Sequence, residues 1–241
     1  MKKSGLYFIL VAALAVCMIA CSAKTDQEMF DDYETSFEKD QFFDAIASLD
    51  VILLKDSTSL LLYHARGISN QRANEYDSAI KDFSKALEIN NEDVFALTQR
   101  ANAYTMKGEY KNAIDDYNRA IVIRGFNTAN DDTIKKYKVK NKKLFEVPLL
   151  FDIVYLRGKA YYETFDLIRA IDDFNLCIET SLETSMNSKF DKIPDCYYWR
   201  GCTYARLGEL NRACEDFHIA AESGINKAFA DIEENCREVS E

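Results

Sequence analysis

The chain has 241 residues and a net charge of −10, which becomes −12 when residues 1–20, with Lys2 and Lys3, are set aside. So acidic a chain repels nucleic acid and anionic membrane surfaces, and nucleic acid is not expected as a partner. Its 15 Phe and 14 Tyr against 2 Pro and 8 Gly favour packed helices over loops or disorder.

The N-terminus reads as an address. Lys2 and Lys3 precede an apolar run from Leu6 to Ala20, with a small residue before Cys21, the pattern of a secretory signal. The run is short for a membrane span. Met18-Ile19-Ala20-Cys21 resembles the bacterial lipobox, whereas Cys17 follows Val16 where that motif needs a small residue. The resemblance implies that Cys21 carries a diacylglycerol, becomes the first mature residue and anchors the chain to a bilayer. Cys21 is not followed by Asp, which resembles outer-membrane sorting and leaves the periplasmic or surface face open. Residues 21–32 read as the lipidated tether.

From Asp26 the chain repeats itself every 34 residues. A faint copy, 26–59, places Met29, Tyr33, Phe42, Ala45, Leu49 and Ile52 at packing positions. Tyr33 stands where a small residue is expected, so this unit is predicted to pack loosely as a cap. Repeat 60–93 opens after Ser57-Thr58-Ser59, residues suited to helix capping, and carries Tyr63, Gly67, Tyr76, Ala79, Phe83 and Ala86. Repeat 94–127 carries Leu97, Ala101, Tyr104, Gly108, Tyr110, Ala113, Tyr117 and Ala120, with Gly125 expected to end its second helix. The insertion 128–150 is lysine-rich and reads as a short hairpin or as an extended helix. Its lysines form either a solvated loop or a contact for anionic lipid, lipopolysaccharide or an acidic partner. Repeat 151–184, an extension 185–193 and repeat 194–227 follow, then a cap helix 228–238 with Phe229 and Ile232 expected to face inward.

Small residues at repeat positions 8, 20 and 27, bulky ones at 4, 11, 17 and 24, and the period itself resemble the tetratricopeptide repeat, a helix-turn-helix unit. The resemblance implies an all-α fold, a right-handed α-solenoid of four clear repeats, one degenerate repeat and a cap helix.

All four clear repeats place Arg at position 7 and Asp at position 23: Arg66 and Asp82, Arg100 and Asp116, Arg157 and Asp173, Arg200 and Asp216. Each pair is equidistant from the turn at position 15, so the side chains are level on neighbouring helices. They are read as structural ion pairs rather than a phosphate site, since each Arg brings its own carboxylate. Among the cysteines, Cys214 and Cys236 are equidistant from the turn at Ile225, and Cys177 and Cys196 form a second level pair if the extension loops out. Bonded pairs in an oxidising envelope and five reduced thiols both fit this spacing. There is no CxxC, and only His64 and His218 are available, so no metal site is expected.

Similarity to the tetratricopeptide family further implies a concave face lined by positions 2, 5, 9 and 12 of each first helix. Here the candidate groove is His64, Ile68, Gln71, Phe95, Thr98, Asn102, Thr105, Tyr155, Lys159, Tyr162 and Tyr198, accompanied by Leu61, Asp152, Asp195, Cys202 and Ala205. Rings among amides and hydroxyls suit an extended peptide or another protein's helix. The Lys/Asn clamp that some relatives use for a terminal carboxylate is matched only at Asn102, because His64 and Ile68 replace its Lys and Asn.

No GxSxG, HExxH, Walker or Rossmann pattern occurs, and the paired acids Asp115-Asp116 and Asp172-Asp173 diverge by about 100° on a helix. The expectation is a non-enzymatic, lipid-anchored adaptor of a bacterial envelope, without cofactor, binding a protein or peptide in its groove. The alternative is a surface glycan-binding component of a nutrient-uptake system.

Overall fold

The computed structural model describes residues 24–126, 148–184 and 193–236. Among these residues the regular structure is helix alone: α1 (Asp26–Glu38), α2 (Phe42–Leu53), α3 (Leu60–Arg72), α4 (Tyr76–Ile89), α5 (Val94–Met106), α6 (Tyr110–Phe126), α7 (Leu150–Glu163), α8 (Leu167–Thr184), α9 (Ile193–Leu207), α10 (Leu210–Glu222) and α11 (Asn226–Asn235). Each odd-numbered helix from α1 to α9 packs against the helix that follows it as a hairpin. Each hairpin then packs on the next, from α2 against α3 to α10 against α11. The result is a solenoid whose core lies between neighbouring hairpins.

The 34-residue register is visible in the backbone. At position 15 the chain turns through the left-handed region in all five repeats: Asp40 (φ 58°), Asn74 (62°), Gly108 (75°), Phe165 (61°) and Gly208 (80°). Gly, Asn and Asp visit that region readily. Phe165 does not, and holding a bulky residue there costs roughly 1–2 kcal/mol.

Packing within each hairpin follows one rule of volume. At position 8 a glycine faces a ring at position 24, and a Cβ added to Gly67, Gly158 or Gly201 would lie 2.7, 2.9 or 2.9 Å from Phe83, Phe174 or Phe217. Repeat 94–127 accommodates a methyl group there, with Ala101 and Tyr117 both fully buried. The first repeat reverses the order: the ring is Tyr33 at position 8, and position 24 holds the smaller Leu49. The expectation of loose packing there is therefore corrected, because Phe30, Tyr33, Ala45, Leu49 and Ile52 are all essentially inaccessible. The exchange leaves the Tyr33 hydroxyl buried without a hydrogen-bond partner among the described residues, and burial pushes its pKa far above the ordinary value.

Four other expectations change. The tether is shorter than residues 21–32, because α1 begins at Asp26, where Thr25 and Glu28 form a reciprocal capping box. Ser59 occupies the N-cap of α3 but makes no side-chain capping bond; Tyr63 Oη instead donates to the Ser57 carbonyl at 3.2 Å. Helix α6 continues through Gly125 to Phe126. In α11, Ala228 and Cys236 are buried while Phe229 is 56% exposed, so the inward stripe is Ala228, Ile232 and Cys236, at a four-residue helical interval. The signal segment, Cys21, most of the insertion 128–150 and of the extension 185–193, and residues 237 and 238 of the cap lie outside the described residues.

Candidate functional site

Arginine at position 7 sets the spacing between hairpins. Arg66 donates to Asp82 through Nε at 3.1 Å and Nη2 at 2.6 Å. Arg100 reaches Asp116 at 2.7 and 2.7 Å, Arg157 reaches Asp173 at 2.8 and 2.6 Å, and Arg200 reaches Asp216 at 2.8 and 2.7 Å. The third nitrogen, Nη1, points to the preceding hairpin and donates to Asp50, Ser84, Asn118 or Asn175 at 2.6–2.9 Å. These acceptors all stand at position 25. Sequence reading missed this contact, although the pattern was available: Asp, Ser or Asn recurs 16 residues before each Arg once the insertion and the extension are discounted.

Burial alone would lower each guanidinium, but the paired aspartate outweighs it, so the arginines lie above their ordinary value. The carboxyls of Asp82, Asp173 and Asp216 are pushed up by the same burial, which the guanidinium offsets only in part. Desolvation is a cost of the ladder that the bidentate pairing offsets.

The inner face divides in two. In α3 and α5, His64, Ile68, Phe95 and Thr98 are buried. His64 Nε2 lies 2.7 Å from Asp93 Oδ2, and its ring centre is 4.7 Å from that of Phe95. Asp93 also caps α5, accepting from the Ala96 amide at 3.0 Å. Burial pushes its carboxyl up, but the hydrogen bond and charge of His64 and the amides at the helix start hold it below the ordinary value. Thr98 donates to the Val94 carbonyl, Gln71 to the Gln99 carbonyl and Thr105 to the Ala101 carbonyl, while Asn102 accepts from Tyr117 Oη at 2.7 Å. The expected groove is therefore largely occupied from within here: its polar groups are bonded in the chain, although Gln71, Asn102 and Thr105 are only half-buried.

From α7 to α11 the same face stays accessible. Tyr155 and Tyr198 are mostly buried and form a floor. Lys159 Nζ lies 4.8 Å from the Trp199 ring centre, Tyr162 stands edge-on to Trp199 at 5.3 Å, and Tyr198 stands edge-on to it at 5.8 Å. Arg206 and Lys227 add cations over Tyr162 and Tyr198, each 3.8 Å from the ring centre. Trp199, Arg206 and Lys227 fall outside the family's groove positions and were missed. The signal that could have found Trp199 is its being the chain's single Trp. Cys202 sits among them as a free thiol, pushed up to about 11 chiefly by burial.

Cys177 is bonded to Cys196, joining α8 to α9, and Cys214 to Cys236, joining α10 to the end of α11. Two open clefts of about 410 Å³ each lie beside the turns at Gly108 and Thr164 and share Lys111 and Thr164. The second also holds Asp115, Tyr161 and Asp166, but Thr164 Oγ1 there donates to the Ala160 and Tyr161 carbonyls at 3.2 and 3.0 Å, and Arg169 is paired with Asp166 at 3.0 Å. Among the described residues no cluster of His, Cys, Asp and Glu could hold a metal ion, and no helix is long and apolar enough to cross a membrane.

Models of the tetratricopeptide repeat match residues 94–127, 61–93 and 194–217. This chain carries tetratricopeptide repeats. A stretch of 55 residues is 36% identical to Hsp70-Hsp90 organizing protein 1 of Arabidopsis thaliana and 34% identical to the Hsp70-Hsp90 organizing protein of Triticum aestivum. That stretch is 23% of this chain, and it spans only 10% of the length of those relatives. Solved tetratricopeptide-like solenoids resemble most of the chain: MamA (19% identity, TM-score 0.63, covering 84% of this chain and 93% of that one), YrrB, described as having an unusual peptide-binding site (17%, 0.53, 75% and 78%), and PilW, described as a type IV pilus biogenesis factor (12%, 0.61, 83% and 78%). At these identities the likeness is one of fold. Tetratricopeptide proteins generally mediate protein–protein interactions, and their scaffold is typically non-enzymatic.

Proposed function

We propose that this chain is a lipid-anchored adaptor of a bacterial envelope that binds a protein segment through the C-terminal half of its inner face. The observation that carries the reading is the contrast along that face: in α3 and α5 His64, Ile68, Phe95 and Thr98 are buried and the half-buried Gln71, Asn102 and Thr105 are hydrogen-bonded within the chain, while α7, α9 and α11 leave Lys159, Tyr162, Trp199, Arg206 and Lys227 at an accessible aromatic and cationic surface. Export is supported by the signal-like segment before Cys21 and by the two bonded cysteine pairs, which suit an oxidising compartment. One comparable solenoid is described as having an unusual peptide-binding site and another as a type IV pilus biogenesis factor, which accords with such a role.

The glycan reading fares less well. Tyr162 and Tyr198 meet Trp199 at 73° and 80°, so neither extends the Trp199 ring into a coplanar platform for stacking a sugar. Two experiments test the proposal. Cys21→Ser should abolish incorporation of labelled fatty acid and release the chain from the membrane fraction; unchanged lipid labelling would refute the anchor. A photo-crosslinking side chain at Tyr162 should capture a partner in intact cells while one at Thr98 should not, and equal capture at both would refute the groove assignment.

A further inference from the structure

Two independent features of the accessible half meet at Arg206. The first is how its charge is held. Cζ lies 3.8 Å from the ring centre of Tyr162 and 4.5 Å from that of Phe165, and Nη1 donates to the Tyr162 carbonyl at 2.9 Å. The side chain is fixed between two rings although Arg206 is exposed, and Nε and Nη2 are uncommitted among the described residues. Other cations near the same turns are neutralised: Arg169 by Asp166 at 3.0 Å, Arg212 by Glu209 at 3.6 Å and Lys107 by Asp77 at 2.7 Å. Arg206 has no such carboxylate among the described residues. Nor has Lys227, whose Nζ lies 3.8 Å from the Tyr198 ring centre and 5.1 Å from that of Trp199.

The second feature is Phe165. It occupies the left-handed turn position that the other repeats give to Asp, Asn or Gly, and its side chain is not needed for the core, being 71% exposed. Strain of this kind persists where something other than folding requires the side chain. Here the ring forms the outer wall of the guanidinium clamp.

We infer that this clamp receives an extended acidic segment of a partner protein, a side-chain carboxylate docking in two-point fashion on Nε and Nη2 of Arg206 while Lys227 faces a second acidic group. Apolar residues of the segment rest on Tyr162 and Trp199. The inference rests on the protein-binding reading above and specifies its ligand chemistry. Pre-organisation favours Arg in this role, because stacking fixes the plane of the fork and little side-chain freedom is lost on binding. The whole chain carries −10, so an acidic segment is favoured where Arg206 and Lys227 stand together, although Asp231, hydrogen-bonded to Tyr198, offsets part of the Lys227 charge. Binding is accordingly local and weakened by salt.

Trp199, the chain's single Trp, reports on the site. The test titrates the full-length protein with short peptides that share one apolar framework and carry Glu/Asp, Gln/Asn or Lys at the same places, and follows Trp199 fluorescence. Acidic peptides should bind about tenfold more tightly than their amide counterparts, a difference of about 1.4 kcal/mol. Arg206→Gln should erase that preference without changing Tm, and Arg206→Lys should restore it only partly. Phe165→Gly should weaken binding several-fold while raising Tm, a pairing that a merely structural ring would not give. If amide or basic peptides bind as tightly as acidic ones, the acidic specificity is overturned while the protein-binding reading stands. If no peptide perturbs Trp199, or if only anionic oligosaccharides or anionic vesicles do, both fall. A Phe165→Gly variant with lowered Tm and unchanged binding overturns the clamp.

Discussion

The inner face is built from the same helix positions along its length, yet its two halves serve different ends. In α3 and α5 His64 is 3%, Phe95 2% and Thr98 1% exposed, and the half-buried Gln71, Asn102 and Thr105 are bonded within the chain. In α7, α9 and α11 the rings form a floor and the cations stand on it, unneutralised at Arg206 and Lys227 among the described residues. A repeat scaffold thus fixes where side chains begin, not whether they face a partner or one another. One change of chemistry decides it: Asp93 at the start of α5 turns back to His64, whereas Arg206 at the end of α9 turns to two rings.

Substitutions that separate stability from binding can break this comparison. The largest effect is expected for Asp93→Ala, which leaves His64 buried without its partner and α5 without its cap; a loss of about 3–4 kcal/mol in denaturant unfolding is expected. The matching change in the accessible half, Lys227→Ala, should alter stability by no more than about 0.5 kcal/mol. Similar losses from both would mean that the halves do not differ. Next, reduction of the two cystines should lower stability by about 3 kcal/mol or more and show first as faster amide exchange in α10 and α11. Equal acceleration in α3 would contradict a local effect.

Gly67→Ala and Gly201→Ala should each cost about 1–3 kcal/mol, since the new methyl group meets Phe83 or Phe217 at 2.7 or 2.9 Å. Equal losses would sharpen the comparison by showing one scaffold beneath two surfaces. The smallest effect concerns pH. Asp93 is held below its ordinary value, so its contribution is fully present above the usual carboxylate range and is lost as pH falls through the depressed value. The stability gap between the parent chain and Asp93→Asn should therefore shrink on acidification; a gap independent of pH would exclude an ionised Asp93.

The fold was legible because the repeat period, the small residues at positions 8, 20 and 27 and the Arg and Asp at positions 7 and 23 are each written several times. Repetition averages away local noise. The surface was less legible for the opposite reason, since each of its residues occurs once. Position 5 reads alike as His64, Thr98, Tyr155 or Tyr198, all four are buried, and nothing in the position says that the first is tied to Asp93 while the last carries the cation of Lys227. Tyr33 misled because a large residue in a small slot looks like a defect until Leu49 is seen to vacate the space opposite. Phe229 misled because helical periodicity alone does not fix the phase of a short helix, and the bonded Cys236 places the stripe on Ala228 instead.

The backward reach of the position-7 arginines gives the solenoid a direction in time as well as in space. Arg66 reaches α2, Arg100 reaches α4, Arg157 reaches α6 and Arg200 reaches α8. In every case the acceptor lies earlier in the chain, so as each hairpin is synthesised the surface that will hold it already exists. Assembly in that order lets each new hairpin dock on one already made, whose outer face waits exposed only until the next arrives. The scheme ends at α10, where among the described residues no later arginine uses the position-25 residue, His218. There the last helix is fastened covalently, by Cys236 to Cys214.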